Sequence, residues 1–105
     1  MTEGEFIEDV SGVCKNPAMY TPTGTFFEAV SYLEGYGKAH GVVKFSHSIF
    51  TPFLRWICKK FKTEPSNSSA MWNDFRGLFP SDNEALKNLP TLYEEYVYSS
   101  NQVAR

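Results

Sequence analysis

Apolar positions repeat at helical spacing almost from the start of the chain. Phe6, Val10, Val13 and Cys14 fall four, three and one apart, a narrow stripe that Ile7 widens. Thr2 and Glu5 stand ahead of it at capping-box spacing, each placed to satisfy the other's free backbone N–H. Glu3, Glu5, Glu8 and Asp9 lie toward the end of this helix where the dipole favours anions. Asn16-Pro17 stops it, because the residue before proline is pushed out of the α region. Residues 16–25 then read as a loop stiffened by Pro17 and Pro22, with Met19 and Tyr20 expected in or over the core.

Thr25 and Glu28 form a second capping box, opening a helix predicted to run to about Ala39, with Gly41 as its C-cap. Periodicity puts Phe26, Ala29, Val30, Leu33 and Tyr36 on its apolar face. Gly35 and Gly37 each cost about 1 kcal/mol against alanine inside a helix, which predicts a close helix crossing or an early end. Val42 to His47 is a short connection; Val42, Val43 and Phe45 are strand-like, but no partner strand is present elsewhere. The third helix starts near Ser46 or Ser48 with Pro52 in its first turn, or at Pro52 with Thr51 as the N-cap. Phe50, Leu54, Ile57 and Phe61 form its stripe, with Phe53 and Trp56 beside it, and this most apolar helix is expected at the centre. After a polar loop over 63–69, Ser68 or Ser69 caps a short helix carrying Met71, Trp72, Phe75 and Leu78, ended by Phe79-Pro80. Ser81 and Glu84 make a third capping box. The last helix carries Ala85, Leu86, Leu89, Tyr93, Tyr96 and Val97, and Pro90 predicts a kink or break near Leu89. Residues 101–105 are expected to fray. The expectation is one all-α domain over 1–105, a bundle of about five helices.

Composition adds a surplus of rings: nine Phe, six Tyr and two Trp in 105 residues, more than a small core demands. Charge adds a pattern. The net is only −2, so no global field selects nucleic acid. Locally, residues 1–34 carry −5, residues 35–63 carry +6 and residues 64–105 carry −3. The blander reading is that acidic helices pack beside a basic one and neutralise it. The sharper reading is a charged face presented to a partner of opposite sign.

Candidate chemistry is sparse. Cys14 and Cys58, the only cysteines, sit at apolar helical positions and read as small hydrophobes. The acidic start has no apolar run resembling a secretory signal, and no stretch approaches the ~20 apolar residues of a membrane helix. A reduced, cytoplasmic protein is expected. His40 and His47 have no cysteine or acid at ligand spacing, so no metal and no cofactor are expected. Ser46-His47-Ser48 has no nucleophile-elbow pattern, the pairs Glu8-Asp9 and Glu94-Glu95 diverge on their helices, and no phosphate loop occurs. The expectation is a protein that is not an enzyme.

One stretch carries a likeness. Asn16-Pro17-Ala18-Met19-Tyr20, a short turn, and Phe27-Glu28-Ala29-Val30-Ser31-Tyr32-Leu33-Glu34-Gly35-Tyr36 resemble small bacterial proteins that begin Arg-Pro-x-Met-Tyr and continue through an amphipathic helix ending in Gly-Tyr. The likeness extends through Phe50–Phe61, Trp72 and Ser81–Val97. Its specific part is Pro17, Met19, Tyr20, Gly35 and Tyr36. Asn16 replaces the arginine, and Pro22 stands where glycine is common, with Gly24 later. Such proteins look like immunity or toxin-neighbourhood proteins of bacterial competition systems. The resemblance implies an all-α fold and a binding role, and brings no catalytic residues. It also favours Phe27, rather than Phe26, on the core face.

The reading is a non-catalytic protein-binding module whose partner is a cognate toxin, neutralised by occlusion. Nuclease toxins with basic clefts would meet acids here: Glu3, Glu8, Asp9, Glu28 and Glu34 are the candidates. Aromatic anchors would be Tyr20, Tyr32, Tyr36 and Trp72, with Tyr93 and Tyr98. Each could instead be core or solvated helix face. The alternative is a nucleic-acid-binding or regulatory adaptor using the basic segment 38–62, with Lys44, Arg55, Lys59, Lys60 and Lys62 set among aromatics. A structural subunit of a homo-oligomer is a third.

Overall fold

The first helix begins where its capping box predicts. Thr2 Oγ1 accepts from the Glu5 N–H at 3.1 Å, and Glu5 Oε1 accepts from the Thr2 N–H at 2.9 Å. The computed structural model describes residues 1–42, 49–63 and 68–103, with backbone alone at 68–70 and 100–103. Helix α1 spans Glu3–Lys15 and buries Phe6, Val10, Val13 and Cys14. A single 3-10 turn, Pro17–Met19, follows in place of the expected loop. Helix α2 spans Phe26–Ala39, α3 Thr51–Lys60, α4 Ser68–Gly77 and α5 Asp82–Val103. Among the described residues there is no strand, and no helix is long and apolar enough to cross a membrane.

Helix α2 repeats the logic of α1. Thr25 and Glu28 close the second capping box. Its far end is a Schellman turn: the Val42 N–H reaches the Gly37 carbonyl at 2.9 Å and the Gly41 N–H reaches Lys38 at 3.2 Å, with Gly41 at φ +70°. Phe26 is fully buried and Phe27 is 41 % exposed, so the periodicity gives the right face and the resemblance the wrong one. Met19, expected in or over the core, is 78 % exposed; the 3-10 turn swings it outward.

Thr51 and Pro52 open α3, and Phe50, with no capping side chain, precedes them. Thr51 is therefore inside the helix rather than its cap, and its Oγ1 is buried without a hydrogen-bond partner among the described residues. Phe53, Leu54, Ile57 and Cys58 form the buried stripe; Phe61 falls beyond it and is 40 % exposed, because the helix has ended. The predicted starts at Ser46 and Ser48 and the connection over 43–47 lie outside the described residues. Helix α4 already contains Ser68 and Ser69, so neither is its cap, and it stops at Gly77 before Leu78.

Helix α5 takes the central position expected of α3. It packs along α1 more extensively than any other pair and touches each remaining helix. Length decides this: its apolar stripe runs from Ala85 to Val97, whereas α3 offers under three turns. Ser81 Oγ accepts from the Glu84 N–H at 3.2 Å at its start. Of the expected kink or break, the break is absent, since the helix runs on through Pro90; the Leu86 carbonyl gives up its usual partner because proline has no N–H. The helix continues to Val103, through the first residues expected to fray.

Asp82 ties three helix ends together. One carboxylate oxygen accepts from the Phe26 N–H at 3.1 Å, at the start of α2, and the other pairs with Arg76 Nε on α4. Arg76 in turn donates to the Phe79 carbonyl at 2.9 Å. The Arg76 guanidinium, then the Phe26 N–H, holds the Asp82 carboxyl below the ordinary carboxylate value.

The two late glycines of α2 play different parts. A Cβ on Gly37 would lie 2.3 Å from Ile49 Cδ1 and 3.0 Å from Phe6 Cζ, both in buried side chains. A Cβ on Gly35 would meet nothing within 4 Å. Gly35→Ala should therefore raise stability by up to about 1 kcal/mol through helix propensity. Gly37→Ala should lower it by roughly 1–2 kcal/mol, overpacking outweighing that gain. Urea unfolding of the two variants measures both; effects of the same sign would contradict the packing assigned to Gly37.

Candidate functional site

Part of the ring surplus gathers on one flank of α2. Tyr32, Tyr36 and His40 fall at i, i+4 spacing and so rise one above another along the helix. The Tyr32 and Tyr36 rings stack at 6.1 Å, and Tyr36 lies 4.3 Å from the His40 ring. Tyr20, from the loop, extends the row, its ring 5.4 Å from Tyr32. The row leans on the core through Tyr36, which stacks on buried Phe6 at 6.4 Å.

The loop that delivers Tyr20 is latched by Glu28. Its Oε1 accepts from Thr23 Oγ1 at 2.7 Å, from the Thr23 N–H at 3.0 Å and from the Thr25 N–H at 3.3 Å. The Thr23 hydroxyl is the chief reason the Glu28 carboxyl is held below its ordinary value. Thr21 Oγ1 donates to the Pro17 carbonyl at 2.9 Å and accepts from the Gly24 N–H at 3.0 Å. Two prolines and three threonines thus place one tyrosine.

Two adjoining hollows follow the row. The smaller, about 200 Å³, lies between α1 and α2 and is lined by Glu8, Asp9, Gly12, Val13, Tyr20, Tyr32, Leu33 and Tyr36. Its floor is the buried pair Val13 and Leu33, and its walls are tyrosine rings and two carboxylates. The larger, about 450 Å³ and more open, shares Tyr20 and Tyr32 and continues over Thr21, Pro22, Phe27, Glu28 and Ser31. Phe27, in that lining, is 41 % exposed, and Met19, the residue before Tyr20, is 78 % exposed. The Asp9 carboxylate lies near enough to the Tyr36 hydroxyl to act on it. The Tyr36 pKa is raised, first by burial and then by the Asp9 charge, both of which disfavour a phenolate.

Six of the sequence candidates therefore meet here: Glu8, Asp9, Glu28, Tyr20, Tyr32 and Tyr36. The others lie apart. Glu3 is on the other flank of α1, about 120° round from Asp9 at 100° per residue; its charge acts on Tyr93. Glu34 is on the opposite flank of α2, where its Oε1 accepts from Trp72 Nε1 at 3.4 Å. Trp72 is 8 % exposed and its ring packs on Phe26, Phe50 and Phe75 at 5.1–5.7 Å, so it is a core residue, not a surface anchor. Tyr93 is likewise buried, and burial raises its pKa. Tyr98 is exposed on α5 but lines neither hollow.

Sequence reasoning misses Gly12. It lines the smaller hollow, and a Cβ there would meet nothing within 4 Å. An isolated glycine inside a helical pattern was the available signal.

The basic set does not assemble in the same way. Arg55 and Lys59 share a flank of α3 at i, i+4 spacing, and both are exposed. Lys60 points elsewhere, paired with Glu95 at 2.8 Å and 5.5 Å above the Trp56 ring. Lys62 follows the helix at φ +54°, the left-handed conformation that closes α3. Lys44 lies outside the described residues. A third hollow, about 450 Å³ between α1 and α5, contains Cys14, Lys15, Lys87 and Pro90. Burial pushes the Cys14 thiol up to about 12, which removes the thiolate that nucleophilic chemistry needs. Among the described residues no group of His, Cys, Asp and Glu is placed to hold a metal.

No family model, curated protein or solved structure matches the chain.

The Asp9–Tyr36 pair gives a direct check on this geometry. Asp9→Asn should bring the Tyr36 pKa down toward the ordinary tyrosine value, though not the whole way, because burial remains. Phenolate absorbance or ring NMR shifts followed against pH would show it. An unchanged Tyr36 titration would place the two side chains apart.

Proposed function

We propose that this chain is a non-catalytic protein-binding module, and that it acts as an immunity protein in a bacterial cytoplasm, occluding a basic surface of a cognate toxin. The observation that carries the reading is the convergence of three tyrosines and two acids, Glu8 and Asp9, on the α1–α2 flank. Tyrosine supplies large contact area at low entropic cost, and such rings dominate interfaces when a partner desolvates them. The acids add steering toward a positive partner. The resemblance of the Asn16–Tyr36 stretch to small proteins around bacterial toxins supplies the kind of partner. The buried state of both cysteines fits a reduced compartment.

The alternative, a nucleic-acid-binding adaptor on the basic segment, has less support, since Lys60 is already paired with Glu95.

Co-expression with the product of the neighbouring gene is the test. The expected outcome is that the neighbour is toxic alone, co-purifies with this chain and loses about tenfold or more in affinity to Tyr32→Ala or Asp9→Lys. A neighbour that is neither toxic nor bound contradicts the reading. Retention on nucleic acid at low salt, lost as salt rises, would favour the adaptor.

A further inference from the structure

We propose that the hollow between α1 and α2 is a receptor for a single arginine side chain, presented by the protein partner. The inference rests on the proposed binding role of this flank and names what the flank recognises.

Size comes first. Pockets for drug-sized ligands run from about 300 Å³ upward; this hollow, at about 200 Å³, suits one long side chain. Its shape is made by an omission. Gly12 sits within α1, where glycine costs about 1 kcal/mol against alanine, and no neighbour stands close enough to require it. What its missing side chain does is keep the hollow open.

The lining sets the chemistry. Tyr20, Tyr32 and Tyr36 line the hollow as a row of rings, successive centroids 5.4 and 6.1 Å apart, so a flat cation entering it meets aromatic surface from more than one residue. Glu8 and Asp9 supply charge of the opposite sign at the same place. Asp9 lines the hollow beside Tyr36, and a carboxylate has about four acceptor positions. Two of them can take the parallel N–H pair of a guanidinium. Val13 and Leu33 below are apolar, matching the methylene stem. Guanidinium fits this set better than ammonium: it stacks on ring faces, is more weakly hydrated, and offers a planar fork to a carboxylate.

Three capped tripeptides serve as probes, identical except for a central arginine, lysine or citrulline, titrated into the full chain and followed by backbone amide NMR. The arginine peptide should give saturable shifts at Asp9, Gly12 and Tyr36. It should bind about tenfold or more tighter than citrulline, which keeps the shape and loses the charge, and tighter than lysine. Asp9→Asn should abolish the response. So should Gly12→Leu, which fills the hollow without removing an acid and, with open space at its Cβ, leaves the helix intact. Equal binding of citrulline, preference for lysine, or an arginine response that survives Gly12→Leu would each overturn the proposal. Self-association of the free chain abolished by Gly12→Leu would also overturn it, by giving the hollow to a second copy. A partner that binds through Tyr32 while the arginine peptide gives no shift would sink this inference and leave the binding role standing; the reverse result would do the opposite.

Discussion

Every helix commits an aromatic ring to one interlocked web, and the rest of the molecule depends on it. Phe6 from α1 meets Phe50 and Tyr93, each at 5.9 Å. Phe26 from α2 meets Trp72 and Phe75 of α4 at 5.7 Å. Phe53 from α3 reaches Tyr93 and Tyr96 of α5 at 5.5 and 5.7 Å. Most of these pairs are tilted or edge-on, the arrangement that ring quadrupoles favour, and each adds about 0.5–1.5 kcal/mol to the area it buries. Because the rings interdigitate, no helix can slide without disturbing several contacts.

The α1–α2 flank inherits its geometry from that web. Phe6 fixes α1 from below and also stacks on Tyr36, so the first ring of the exposed row is set by a core residue. Gly37 lets α2 approach Phe6 and Ile49 closely. Asp82 holds the start of α2 to α4 and α5, and Glu28 holds the loop that carries Tyr20. The row of tyrosines is thus rigidly backed, the condition under which binding groups lose little entropy on meeting a partner. Of its outer rings, Tyr32 is partly buried against the core and Tyr20 is exposed.

Local signals carried most of the fold. The boxes at Thr2 and Thr25 are complete because both partners lie three residues apart, and such short-range hydrogen bonds are readable from spacing alone. Periodicity placed Phe26 correctly for the same reason, while the likeness to other proteins displaced it by one residue. What spacing cannot show is which of several apolar helices becomes the hub; that depends on length and on how many partners a stripe can reach, and α5 wins over α3. Nor can it separate ring from ring. Tyr36 and Trp72 are both aromatic residues at helical spacing, yet one borders a hollow and the other fills the core, a difference decided by helices distant in sequence. The acids divide in the same way: Glu3, Glu8 and Asp9 lie within seven residues, but helix rotation sends Glu3 to one flank and Asp9 to another.

The central claim is that Tyr32 contributes far less to the fold than the core rings do, which leaves it free for the proposed binding role. Urea unfolding of Tyr32→Ala beside Trp72→Ala tests it most directly. The account predicts a loss of about 1–2 kcal/mol for Tyr32→Ala, which removes its ring contacts to Tyr20 and Tyr36, against roughly 3–5 kcal/mol for the buried Trp72. A Tyr32→Ala loss as large as that of Trp72→Ala would contradict it and return the tyrosine row to the scaffold.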